Sequence, residues 1–268
     1  MRIALIGDTH GYAPALDAAL SGCRAASPDI IVHCGDFLST PFSPDPPSET
    51  IALLRAANVS VVVGNGEVYL RDWGTPRWEQ TLTQRRQRPD SPDWFLPYVA
   101  AGQAELSPDD LAWIRTLPEE LVLSGGRPDD IYVCHGMPGN VFATIWDTGP
   151  DFTPDFRPED IAAALDRPGI AEADLILCGH VHQPLVLRTA LPNGRMALVI
   201  RGSGINHYPG DPPEEWWTDY ILLTHVGPIY GGYAAWEMSR HPVPFRPRDP
   251  SWTWDQPSRR MGSTSGSP

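Results

Sequence analysis

The sequence predicts an α/β fold with two sheets, and three features carry that prediction. Five short apolar runs, Ile3 to Ile6, Ile30 to Cys34, Val59 to Val63, Ile131 to Cys134 and Leu175 to Cys178, are nearly continuous rather than alternating. Strands covered on both faces read this way. Stretches with helical spacing, Ala13 to Cys23 and Ser48 to Ala57, separate the first three, so strand and helix alternate. After Gln183 the pattern changes to strands at Leu185 to Thr189, Met196 to Arg201, Tyr220 to Thr224 and Gly232 to Met238, read as a second sheet.

Local signals place the remaining elements. Ser48 is a plausible cap for the second helix. The segment Trp73 to Tyr98 is rich in Trp, Arg and Pro, lacks a clear period, and reads as a cap or insertion. Ser107-Pro108-Asp109-Asp110 is a helix start, with Ser at the cap, Pro at the first position and acids in the first turn; that helix is expected to end near Leu117-Pro118. A loop-like segment, Met137 to Pro158, precedes a short helix ending near Arg167-Pro168-Gly169. Pro192-Asn193-Gly194 is a hairpin turn between two late strands. The expected organisation is one domain over residues 1–238, with cap-like insertions near 73–98 and 137–158. Residues 239–268 read as a Pro-rich irregular or disordered tail, part of which Trp252 and Trp254 could pack back.

Charge and cysteines limit the partners. Asp and Glu total 33 against 20 Lys and Arg, and the net charge of -13 disfavours bulk nucleic-acid binding and anionic membranes. A polyanionic substrate would be repelled unless bound metal ions reversed the field locally. Cys23, Cys34, Cys134 and Cys178 form no CxxC pair, and they read as buried thiols. The chain enters an apolar run directly after Met1-Arg2, so a soluble cytoplasmic protein is expected.

Each of the five early strands ends in residue types that ligate metals. In order these are Gly7-Asp8-Thr9-His10, Gly35-Asp36, Gly64-Asn65, His135-Gly136 and Gly179-His180-Val181-His182. Ligands of open α/β sheets bind at the carboxyl ends of strands, where this set would converge. Any one of these residues alone is most simply a turn or a hydrogen-bonded structural residue. Together, Asp8, Asp36, Asn65, His10, His135, His180 and His182 have no shared structural explanation. Imidazole and carboxylate suit Mn, Fe, Zn and similar ions. Seven donors exceed the roughly four that one such ion takes from protein, so two ions are implied. Two-metal sites activate a bridging water and clamp the oxygens of an in-line displacement, typically at phosphorus.

Other candidates are weaker. His33 lies inside a strand and reads as a satisfied core histidine, and His207, His225 and His241 read as surface residues. His207, after Gly202-Ser203-Gly204, is also a possible phosphate contact. Arg85-Arg86-Gln87-Arg88 reads as a solvated face, with a phosphate clamp as the alternative.

The ordered set Asp-x-His, Gly-Asp, Gly-Asn, His-Gly and Gly-His-x-His resembles the calcineurin-like metallophosphoesterases, from Ile3 to about Met238. That resemblance implies a four-layer α/β/β/α sandwich of two mixed sheets flanked by helices. It implies Asp8, His10 and His182 on one ion, Asn65, His135 and His180 on the other, and Asp36 as the bridge. His135, His10 and Asn65 would orient the phosphoryl oxygens. Two divalent transition-metal ions are expected, Mn first, with Fe, Zn, Ni or Co as the others. Asp36 is followed by Phe37-Leu38-Ser39-Thr40, not by the Asp/Asn-Arg-Gly pattern of protein phosphatases and symmetrical dinucleoside-tetraphosphate hydrolases. The layout is nearest to the compact bacterial and archaeal phosphodiesterase-like members.

One position departs from the pattern. Many members carry His where this chain has Gly66, and that His protonates the leaving oxygen or binds the phosphate. Glu67 is a candidate substitute, direct or through water. The expected activity is hydrolysis of a small phosphate ester, a diester first, by in-line attack of a metal-bridging hydroxide. A phosphomonoesterase and a non-catalytic scaffold on the same fold are the rival readings.

Overall fold

The computed structural model describes residues 1–38, 45–87, 96–123, 130–146, 157–205, 212, 216–228 and 234–248. The order is β1 (Arg2–Ile6), α1 (Ala13–Ala26), β2 (Ile30–His33), α2 (Pro47–Ala57), β3 (Ser60–Val61), α3 (Asn65–Asp72), α4 (Trp78–Arg85), α5 (Leu96–Ala104), α6 (Pro108–Thr116), β4 (Glu120–Leu123), β5 (Asp130–Cys134), α7 (Pro158–Leu165), β6 (Ala173–Cys178), β7 (Leu185–Ala190), β8 (Met196–Arg201), β9 (Trp217–Pro228) and β10 (Ala234–Pro244).

The apolar runs are continuous because each strand faces two apolar layers. Ile3 and Leu5 of β1 and Val32 of β2 meet Val133 of β5, Leu175 and Leu177 of β6 and Ile200 of β8 in a layer between the sheets. Their neighbours Ala4 and Ile6 turn the other way, onto Leu16 and Leu20 of α1 and Ile51 and Leu54 of α2. On the far side Tyr132, Ile176 and Val199 pack with Leu165 and Ile170. The result is a four-layer α/β/β/α sandwich of two mixed five-stranded sheets, ordered β10-β9-β1-β2-β3 and β4-β5-β6-β8-β7. In the first sheet β1, β2 and β3 run parallel, and in the second β5, β6 and β8 do. The carboxyl ends of five strands that precede candidate ligands therefore share one edge of the sandwich.

Several boundaries differ from the sequence reading. The late strands do not form a sheet of their own: β7 and β8 join β5 and β6, while β9 pairs antiparallel with β1, Ile3 opposite Leu223. Val59 to Val63 yields only a two-residue edge strand, since the Val63 N–H goes to the Pro118 carbonyl (2.9 Å) and not to a ladder. Ser48 does not cap α2, which begins at Pro47 behind Pro46. Ser107 does cap α6, its hydroxyl accepting the Asp110 N–H at 3.1 Å. The segment Trp73 to Tyr98 contains α4 and the start of α5. Ser239 to Pro244, expected to be irregular, is strand. β10 lies at the sheet edge, where Pro242 and Pro244 need donate to no further neighbour. Beyond it Phe245 packs on Tyr12 and Trp216, and Arg248 pairs with Glu49 at 2.6 Å. Trp252 and Trp254 lie outside the described residues, as does the whole of 147–156. No helix among the described residues is long and apolar enough to cross a membrane.

His33, at the end of β2, is a fully buried histidine with one partner. Its Nε2 lies 3.2 Å from the Thr9 hydroxyl, and its Nδ1 has no partner among the described residues. Burial pushes its pKa down to about 4 from 6.5. The unfolded chain therefore binds this proton at higher pH than the folded one, and acidification through that window favours unfolding. Between about pH 7.5 and about pH 5 the expected loss from this group is about 2 kcal/mol. A His33→Gln protein, unfolded by urea with a chelator present, is expected to lack that part of the parent's pH dependence. Identical pH slopes for the two proteins would refute the assignment.

Candidate metal centre

Tight turns at the strand ends aim the candidate ligands. Among the described residues, six non-glycines have left-handed backbone: Ser27 and Asn58 close helices, and the other four are His10, Asp36, His180 and His182. Such a conformation costs about 1–3 kcal/mol per residue and persists only where its surroundings enforce it. Four of the seven candidates are held this way.

Hydrogen bonds between loops supply the enforcement. The Thr9 and His10 N–H groups both donate to the Asp36 carbonyl, at 3.1 and 2.8 Å, joining the β1 and β2 loops. Across the sheets, the His180 N–H lies 3.2 Å from both Asp8 carboxylate oxygens, and His135 Nδ1 lies 2.6 Å from the Cys34 carbonyl. The close approach requires glycines. A Cβ on Gly64 would sit 2.2 Å from Asp36 Oδ1, and one on Gly179 would sit 2.4 Å from Asp8 Oδ1.

The donor atoms fall into two adjoining groups. In the first, His182 Nε2 is 2.6 Å from His10 Nε2 and 3.1 Å from Asp8 Oδ2, with His10 Nε2 at 3.9 Å from the same oxygen. In the second, His135 Nε2 is 3.3 Å from Asn65 Oδ1, 3.3 Å from His180 Nδ1 and 3.6 Å from Asp36 Oδ2. Donors about 2.1 Å from one ion lie roughly 3.0–3.4 Å apart; the spacings of 3.1 and 3.3 Å fall in that range, the 2.6 Å His10–His182 approach is closer, and the 3.6 and 3.9 Å ones are wider. The His135 bond to the Cys34 carbonyl puts the ring proton on Nδ1 and turns the Nε2 lone pair toward two further acceptors, Asn65 Oδ1 and Asp36 Oδ2. Acceptors facing acceptors suit a cation. Second partners of this type orient metal-binding imidazoles.

All seven residues converge, and the two groups adjoin at the carboxylates: Asp8 clusters with His10 and His182 and also with Asp36 and His135. Asn65 does not end a strand but opens α3.

The electrostatics follow from burial among imidazoles. Burial pushes the Asp8 carboxyl up, but His135, His182 and His10 outweigh it and hold the group well below its ordinary range. Burial, and then His182, hold His10 well below its usual value. Burial also pulls His182 down, but its hydrogen bond to Asp8 and the charge of that carboxylate more than offset this and leave it raised.

Glu67 is not where a general acid would stand. It is fully buried, and its oxygens accept the backbone N–H groups of Asp36, Leu38 and Gly64. Burial and then the Asp36 charge push its carboxyl up to about 8. The position before it carries no side chain, and the Gly66 N–H is spent on Asp36 Oδ1 at 2.8 Å.

The remaining candidates scatter. His225 lies within β9 and His241 within β10, where His241 stacks on Tyr220 at 4.8 Å. His207 and Arg88 lie outside the described residues. Of the Arg85 to Arg88 run, Arg86 and Gln87 are exposed as expected, Gln87 accepting from Asn140 at 3.1 Å, but Arg85 is fully buried. The four cysteines are free and buried. Sequence reasoning missed Arg201, whose Nε donates to the Gln183 carbonyl at 2.7 Å and steadies the His180 to His182 turn. It also missed Ser203, bonded to Asp219 and Arg240, behind the loop that touches Asp8. Neither has a local signal, since each partner lies at least 16 residues away.

Solved structures share this architecture. A hypothetical protein from Pyrococcus horikoshii OT3 is 18% identical, with 91% of this chain and 88% of that chain covered and a TM-score of 0.58. A metallophosphoesterase from Sphaerobacter thermophilus is 21% identical, with 92% and 90% covered and a TM-score of 0.54. No curated protein matches the chain in sequence. Residues 1–184, which contain all seven converging donors, match the sequence profile of the calcineurin-like phosphoesterases, and the chain belongs to that family of metal-dependent phosphoesterases.

Proposed function

We propose that this chain hydrolyses small phosphodiesters at a pair of divalent transition-metal ions, manganese first among them. In this reading Asp8, His10 and His182 hold one ion, Asn65, His135 and His180 hold the other, and Asp36 lies between them with Asp8 beside it. The observation that carries the proposal is the convergence of seven donor side chains from the segments that follow five strands, with the His135 lone pair turned toward Asn65 and Asp36. Two ions bound there supply an activated water and neutralise charge on the phosphoryl oxygens.

The chain's own residues supply the rest. His10, Asn65 and His135 orient the phosphoryl oxygens, and the loop-to-loop hydrogen bonds keep the donors in place while substrate binds. The net charge of -13 favours a substrate with few negative charges, which suits a diester. Four free buried thiols fit a reducing cytoplasm. No side chain at position 66 can give a proton, and Glu67 is turned to backbone amides. Leaving groups that depart without protonation are therefore preferred.

A screen of diesters and monoesters with Mn, Fe, Zn, Ni and Co is expected to find diester hydrolysis strongest with Mn and about two ions per chain. Asp36→Asn is expected to lower both metal content and activity, the latter by on the order of 100-fold or more. A parent that holds no metal, or hydrolyses no ester with Mn present, sinks the proposal; faster monoester turnover sinks the diester preference. Rates should also fall steeply from p-nitrophenyl to alkyl esters. Gly66→His is expected to raise the alkyl rate by about 10-fold or more while leaving the p-nitrophenyl rate little changed. An alkyl rate already equal to the p-nitrophenyl rate in the parent would show that another proton donor exists.

A further inference from the structure

We infer that Glu67 is a positioning residue that locks the loops carrying Asp36 and Asn65 into one unit. Its Oε2 accepts the N–H of Asp36 at 2.9 Å and of Gly64 at 2.7 Å, and its Oε1 accepts the N–H of Leu38 at 2.7 Å. In return the Gly66 N–H donates to Asp36 Oδ1. The link thus runs both ways: a side chain of each loop takes a backbone proton of the other. The loops follow different strands, β2 and β3, and no ladder bond extends to Asp36 or Asn65 to do this work.

Asp36 in particular needs the clamp. Its backbone is left-handed with φ 49°, and its amide is buried, so the N–H must find an acceptor or carry the cost of burying it unmet. The two Glu67 oxygens lie at acceptor distance from three such donors. The amide of Gln cannot accept from all three, because its NH2 end would face N–H groups that themselves need acceptors. Glu67 is fully buried with both oxygens on backbone N–H groups, so its effect reaches the chemistry through Asp36 and Asn65.

The consequence for the ions rests on the two-metal reading, while the clamp itself does not, and the two are tested apart. With a chelator present, the amides of Asp36, Leu38, Gly64 and Gly66 in the parent are expected to exchange hydrogen on the order of 100-fold more slowly than exposed loop amides. Fast exchange at all four overturns the inference, whatever the variants do. Glu67→Gln is expected to lose that protection, to bind Mn(II) about 10- to 100-fold more weakly, and to lose the same factor in kcat on p-nitrophenyl and alkyl esters alike, with KM little changed. A loss that grows with the basicity of the leaving group identifies a proton donor and overturns the inference. If Glu67→Gln fails to fold, the parent's exchange pattern decides. Protected amides in a parent that binds no Mn(II) support the clamp and sink the metal reading alone.

Discussion

A carboxylate buried between two sheets sets the terms for everything around it. Asp8 is 1% exposed, and burying an ionised group is costly unless donors and cations surround it. Asp8 follows β1 of the first sheet, and these partners come from the second: the His180 N–H and the His182 ring approach its side chain from the β6 loop, and the Ile205 N–H donates to its carbonyl from the β8 loop. The edge of one sheet is thereby fastened to the edge of the other. The apolar layer beneath cannot slide without breaking these bonds, so inter-sheet packing and the geometry of the site are a single arrangement. Gly179 belongs to it as well, since any side chain there would enter the space of Asp8 Oδ1.

Part of this arrangement was legible in the sequence because it is written locally. β1, β2, β5 and β6 announce themselves, since a strand between two apolar layers has no polar face to interrupt its run. The ligand positions were legible for the same reason, because a polar residue beside glycine at the end of such a run stands out. What escaped is non-local. The pairing of β9 with β1 joins residues more than 200 apart, and nothing near either strand encodes it. The helix α3 was invisible because Gly66 to Asp72 are all buried, with the Arg71–Asp72 ion pair turned inward. A helix enclosed on every side has no amphipathic period to read. The contacts of Glu67 are illegible for a related reason: its partners are backbone amides, two of them about 30 residues earlier, and an amide leaves no trace in sequence.

The turn from Gly64 to Glu67 shows how holding Asp36 and protonating a leaving group can be separated. Asp36 is served at this turn by the Gly66 N–H and by the Glu67 carboxylate. A backbone N–H is present whatever side chain stands at 66, so a proton donor can be gained or lost there without disturbing Asp36. The same freedom does not extend to 67, where the carboxylate closes the contact between loops, nor to 64, where a side chain would collide with Asp36 Oδ1. Three neighbouring positions thus carry three different constraints: no bulk at 64, no backbone demand on the side chain at 66, and two acceptor oxygens with reach at 67. On the proposed two-metal reading, the departure at Gly66 bears on which esters are cleaved far more than on whether the donors assemble.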